Sequence, residues 1–143
     1  MSPKSIDILL VEDNADHAEL IVKALRDNNV LNEVHAVISG EEAMDFLCQR
    51  GAYVDAAQPG LILLDIKLPG MDGIEFLKLI KADPKFKPIP IVVLTTSGSE
   101  QEIAESYRCG ANSYIVKPVD FKHFAKVIKE LKLYWMVVNS LPK

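Results

Sequence analysis

The chain has 143 residues, 49% of them hydrophobic and 25% charged, with a formal net charge of −4. That length and apolar content suit one packed core, while an acidic balance without a cluster of Lys and Arg argues against binding a nucleic-acid backbone. The opening MSPKSIDILLVEDN offers only about five apolar residues before its acids, too few for a signal peptide or a membrane span, so the expected compartment is the cytoplasm and no membrane contact is expected. Residues 6–11, IDILLV, form an apolar run, after which Ala15, Ala18, Val22 and Leu25 recur at helical spacing. Residues 33–38, EVHAVI, alternate as a second strand; Gly40 turns the chain, and Ala43, Met44 and Leu47 mark a second helix. A polar Gly/Pro connection over residues 51–60 leads to LILLD at 61–65. Ile74, Leu77 and Ile80 predict a third helix that ends at Asp83-Pro84, because the residue before proline is pushed out of helical geometry. IVVL at 91–94 is a fourth strand, 100–107 a fourth helix stopped by Gly110, and SYIV at 113–116 a fifth strand. Asp120 then caps a long last helix.

Strands alternating with helices predict βαβ units with right-handed crossovers and a parallel sheet covered on both faces. In such sheets ligands bind beyond the carboxyl ends of the strands. The residues with chemical potential all follow strands: Glu12 and Asp13 the first, Asp65 the third, Thr95 and Thr96 the fourth, Lys117 the fifth. The stretch LILLDIKLPGMDG at 61–73 is unusual in ending a fully apolar strand on a carboxylate. Taken singly, each acid reads as a loop or helix cap near a positive dipole end. Together, three crowded carboxylates favour a hard divalent cation with oxygen ligands. An aspartate beside such a cation, with a lysine and a hydroxyl nearby, has the parts to accept a phosphoryl group.

VEDN, LILLDIKLPGMDG, LTTS and YIVKP together resemble the receiver domain of two-component response regulators, over about residues 6–131. The resemblance implies a three-layer doubly wound (βα)5 fold with strand order 2-1-3-4-5, an order that periodicity alone does not supply. It implies one receiver domain over 1–143, its core at about 6–131 and residues 132–143 an apolar helical extension. Asp65 is then the phosphoacceptor; Glu12, Asp13, Asp65 and the backbone carbonyl of Lys67 are Mg²⁺ ligands; Thr95 is the switch hydroxyl, Lys117 the phosphate-contacting cation, and Tyr114 the rotating aromatic. The Lys117-Pro118 bond is expected to be cis. The implied function is a stand-alone phosphorelay protein that a sensor histidine kinase phosphorylates, and among receivers the chain most resembles the small regulators of bacterial phytochrome kinases. It is expected not to be an enzyme beyond assisting its own phosphorylation and dephosphorylation. Glu12 stands where many receivers have Asp, and Thr96 is bulkier than the Ala or Gly often found there, which narrows access to the phosphorylated aspartate.

Two other readings use the same topology. An aspartate-nucleophile phosphatase usually carries a second acid two residues after its nucleophile, a position filled here by Lys67. A flavin protein needs a Ser/Thr/Gly-rich loop after the first strand, where this chain has EDNADH, which repels phosphate without a metal.

His17, His35 and His123 have no nucleophile partner or ligand spacing, so the sequence places none of them in the site. Lys67 and Ser97, two beyond Asp65 and Thr95, read as solvated loop residues; in the resembling family these positions border the attacking water. Cys48 and Cys109 lack metal or disulfide spacing and read as core thiols. In the last helix Phe121, Phe124, Ile128, Leu131, Trp135 and Val138 form a core-facing stripe, and Tyr134, Val137 and Leu141 a second apolar face. A single helix on a sheet does not bury two faces, so the sequence favours a homodimer or docking contact through the second over a fold-back onto its own domain.

Overall fold

The structure, a computed structural model, describes residues 5–96 and 99–137 with every side chain among them except that of Trp135. Ser97, Val138 and Leu141, and the side chain of Trp135, lie outside this description. The elements are β1 (Ile8–Val11), α1 (Ala15–Asp27), β2 (Val34–Val37), α2 (Gly40–Leu47), a single 3-10 turn (Gly51–Tyr53), β3 (Leu61–Asp65), α3 (Gly73–Ala82), β4 (Ile91–Thr95), α4 (Glu100–Arg108), β5 (Ser113–Val116), α5 (Phe121–Glu130) and α6 (Tyr134–Val137). All strand pairs are parallel, in the order β2-β1-β3-β4-β5. This is the doubly wound order that the resemblance implies. Among the described residues, no helix is long and apolar enough to cross a membrane.

Period-two side-chain geometry divides the core into two layers. Leu9, Val11, Ile62, Leu64, Ile91 and Val93 pack on one face with α2 and α3, through residues such as Phe46, Phe76 and Ile80. Ile8, Leu10, Leu61, Leu63, Val92 and Leu94 pack on the other with α1 and α5, through Ile21, Leu25, Phe124 and Ile128. Cys48 and Cys109 are half-buried against the first layer and unbonded to each other. Helix starts follow the capping rule: side chains of Asn14, Ser39, Asp72 and Asp120 each accept from the backbone N–H three residues on.

The expected long last helix is broken. Lys132 takes a left-handed φ of 62°, its N–H donates to Lys129 O, and Leu133 N–H donates to Ile128 O at 3.0 Å. These two bonds form a Schellman motif, which satisfies the last carbonyls of α5 and redirects the chain. A left-handed lysine costs about 1–2 kcal/mol, and the turn is offset by sending Leu133 and Val137 into the second core layer. Val137 is 0% exposed and Tyr134 is packed against that layer. The two described members of the second apolar face thus pack on the chain itself, and Val137 is not a contact surface for a partner. Asn32 holds the fold-back in place, its side-chain amide donating to Ile6 O at 2.9 Å and Met136 O at 2.7 Å.

Candidate functional site

β3 is paired on both sides, and its last residue, Asp65, lies opposite Leu94 of β4. Glu12 directly follows β1, its N–H donating to Val37 O of β2. Thr95 ends β4 and its carbonyl accepts from the N–H of Lys117, just beyond β5, at 2.7 Å. The topology therefore collects Glu12, Asp13, Asp65, Thr95 and Lys117 at one edge. Carboxylate oxygens of Glu12, Asp13 and Asp65 lie within 4.8 Å of one another. Glu12 is 1% exposed and Asp65 8%, while Asp13 faces solvent.

The buried charge is partly compensated. The Lys117 ammonium, its side chain 8% exposed, donates to Glu12 Oε1 and to Asp65 Oδ2 at 3.3 Å. Asp65 Oδ1 accepts from the Lys67 N–H at 3.1 Å, so both carboxylate oxygens are oriented. Burial holds the Glu12 carboxyl above the ordinary glutamate range; the bonds from Lys117 and the Asn14 N–H oppose this, and neighbouring Asp65 adds to it. The Lys117-Pro118 bond is cis.

One lysine against three carboxylates leaves negative charge that a divalent cation relieves, and an all-oxygen donor set is the kind hard cations take. The residues present fit such an ion. The Lys67 side chain, at the position where an aspartate-nucleophile phosphatase carries its second acid, is exposed.

Two neighbours escaped the sequence reading. His17 Nδ1 lies 3.3 Å from Lys117 Nζ and 4.0 Å from Glu12 Oε1, so this histidine belongs to the site, contrary to expectation. The signal was its place in the first turn of a helix that starts two residues after Asp13. Glu102 of α4 accepts from Thr95 Oγ1 at 3.4 Å. A Ser-x-x-Glu pattern such as 99–102 ordinarily suggests a capping pair, so nothing in the sequence aimed Glu102 at Thr95. Thr96 is exposed and, with His17, Lys117 and Pro118, lines a mostly apolar groove of about 480 Å³. Tyr114 is half-buried, edge-on to Tyr107 with ring centroids 6.1 Å apart. His35 is remote, 3.1 Å from Asp7, and His123 sits in the capped first turn of α5.

Residues 8–129 match the response regulator receiver domain model. The response regulator Rcp1 of Synechocystis sp. is 38% identical over 135 residues, covering 94% of this chain and 92% of Rcp1. The structure of Rcp1 in its Mn²⁺-bound form aligns with a TM-score of 0.76 over 96% of this chain and 99% of that one. The bacteriophytochrome response regulator AtBRR aligns with a TM-score of 0.85 at 41% identity, over 96% of this chain and all of that one. The phosphorylated cyanobacterial phytochrome response regulator RcpA aligns with a TM-score of 0.77 at 42% identity, over 97% of this chain and 99% of that one. With the fold, the strand-end acids and these relatives in agreement, the chain belongs to the response regulator receiver domain family, whose members signal by accepting a phosphoryl group on an aspartate.

Proposed function

We propose that Asp65 is the phosphoacceptor, that its phosphoryl group comes from a sensor histidine kinase of the bacterial phytochrome class, and that Glu12, Asp13, Asp65 and the backbone carbonyl of Lys67 hold Mg²⁺. The observation that carries this reading is a strand-end aspartate oriented on both oxygens, beside two further acids and a buried lysine. The similarity to AtBRR and RcpA, both phytochrome response regulators, supports the choice of kinase. When bound, the cation supplies positive charge to the phosphoryl oxygens. A carboxylate oxygen of Asp65 forms the new O–P bond as the donor's P–N bond breaks, the electron pair passing to that nitrogen of a donor ring already protonated on its other nitrogen, which leaves as neutral imidazole. Lys117 contacts the transferred group, and Thr95 leaves Glu102 to donate to it. Beyond assisting its own phosphorylation and dephosphorylation the protein turns nothing over, and its setting is the cytoplasm. Asp65→Asn keeps the side chain's shape and removes the nucleophile, so acid-labile label from a phosphohistidine donor should fall to background. Undiminished label on that variant overturns the assignment.

The pH dependence of the metal-free protein follows from Glu12. Its folded-state value is raised, so its contribution to stability is fully present below the ordinary glutamate value and is lost as pH rises through the folded one. The melting temperature should therefore rise as pH is lowered from neutral into the window just above the ordinary glutamate value. Glu12→Gln should lack that component; parallel pH profiles for the two proteins would contradict it.

The proposal extends to output. Thr95 moving toward the phosphoryl group draws the β4–α4 connection inward, and Tyr114 turns toward the core, changing the surface made by α4, β5 and α5. Tyr107 and Val116 are exposed there at 45% and 36%. This surface, in place of the Val137 face, is where a phosphorylation-dependent homodimer forms. Sedimentation with a beryllofluoride mimic should show stronger self-association, and an unchanged mass distribution rules the surface out.

A further inference from the structure

The third acceptor of the Lys117 ammonium has no part in the phosphoryl chemistry proposed for the site. An ammonium only donates, through three N–H groups, and three acceptors surround this one: Glu12 Oε1, Asp65 Oδ2 and His17 Nδ1. Because an ammonium cannot accept, a hydrogen bond across the 3.3 Å from Nζ to His17 Nδ1 requires the lone pair of Nδ1. The histidine is itself anchored. Its backbone N–H donates to Asn14 Oδ1 at 3.1 Å, the N-cap bond of α1, and the Asn14 N–H donates to Glu12 Oε2 at 3.2 Å. Glu12, Lys117, His17 and Asn14 thus close a ring of hydrogen bonds through the first turn of α1.

A lysine head group is a compact charge on a flexible stem and does not select a direction by itself. With only the two carboxylates as acceptors, it is free to turn about its last bond and settle between them. A third acceptor on a capped helix turn fixes all three N–H directions.

We propose that His17 is a positioning residue for Lys117, its neutral ring accepting from Nζ and holding the ammonium aimed at the Asp65 carboxylate. The proposal rests on the reading of Asp65 and Lys117 as the phosphoryl site, and the experiment separates the two. In the metal-free protein at mildly alkaline pH, ¹⁵N resonances of His17 should show an Nε2-protonated ring whose Nδ1 signal carries a hydrogen-bond shift, and Lys117→Met should remove that shift. In the Mg²⁺-supplied protein with phosphoramidate as donor, His17→Phe should slow labelling about tenfold, the loss of one hydrogen bond to a charged group. His17→Asn, which restores an acceptor oxygen near the same place, should recover most of the rate. In a Lys117→Met background, His17→Phe should add nothing. The side chain is 43% exposed, so each variant should fold, and melting curves are the check. An Nδ1 signal indifferent to Lys117→Met, a His17→Phe rate equal to that of the unmodified chain, or a tenfold loss persisting without Lys117 each overturns the positioning role. Label surviving on Asp65→Asn instead overturns the site reading and leaves the ¹⁵N result standing.

Discussion

Gly73→Ala is expected to lower stability by about 2–3 kcal/mol, within the range for forced overpacking, and the melting temperature by roughly 10 °C. A Cβ at Gly73 would stand 2.6 Å from Ile66 Cα, 2.7 Å from Asp65 O and 2.8 Å from Ile66 O. All three are backbone atoms, so no side-chain rotation relieves the contact. The loop after β3 folds back on its own strand there, with the Gly73 N–H donating to Ile66 O at 3.0 Å as α3 begins. Relief requires the segment carrying Asp65 and Lys67 to move, so the phosphorylation rate should fall along with the stability. Gly40→Ala is the matched comparison, since the three atoms nearest its Cβ, at 3.0–3.3 Å, all belong to the Met71 side chain, which can give way. Equal melting temperatures for the two variants would show that the β3–α3 loop yields easily and that Gly73 does not set its course.

Val137→Asp is expected to cost about 3–5 kcal/mol, since it removes a buried side chain from its layer and places an unpaired charge there. Val137 sits with Leu133, Ile128 and Phe124 beneath the fold-back. The effect should be seen as a drop in melting temperature that is the same at every protein concentration, because the packing it disrupts lies within one chain. A normal melt accompanied by a changed sedimentation profile would instead place Val137 on an outer face.

The difference between these residues shows where the sequence is informative. The strands were readable because four or five consecutive aliphatic residues ending in turn signals have few other uses, and the acids, Thr95 and Lys117 were readable because each follows such a run. The helix stop at Gly110 was readable too, glycine being the residue that most easily takes the left-handed turn it adopts, with φ 108°. The stop at Lys132 was not. The same Schellman geometry there uses a lysine, which carries no such signal, and an uninterrupted apolar pattern from Phe121 to Val138 looked like one helix with two faces. His17 was missed for a related reason: a three-centre contact with a lysine 100 positions away depends on how α1 lies over the sheet, and its identity as a lone histidine says nothing of that.

The amide of Asn32 joins chain segments 104 positions apart when it reaches Met136. Closing so long a loop is entropically costly and gains little until the sheet between the two segments exists. The clasp therefore belongs to the native side of the folding barrier. Contacts of that kind leave the rate of folding nearly untouched and act on the rate of escape. The short last helix is then expected to lengthen the lifetime of the fold without speeding its assembly.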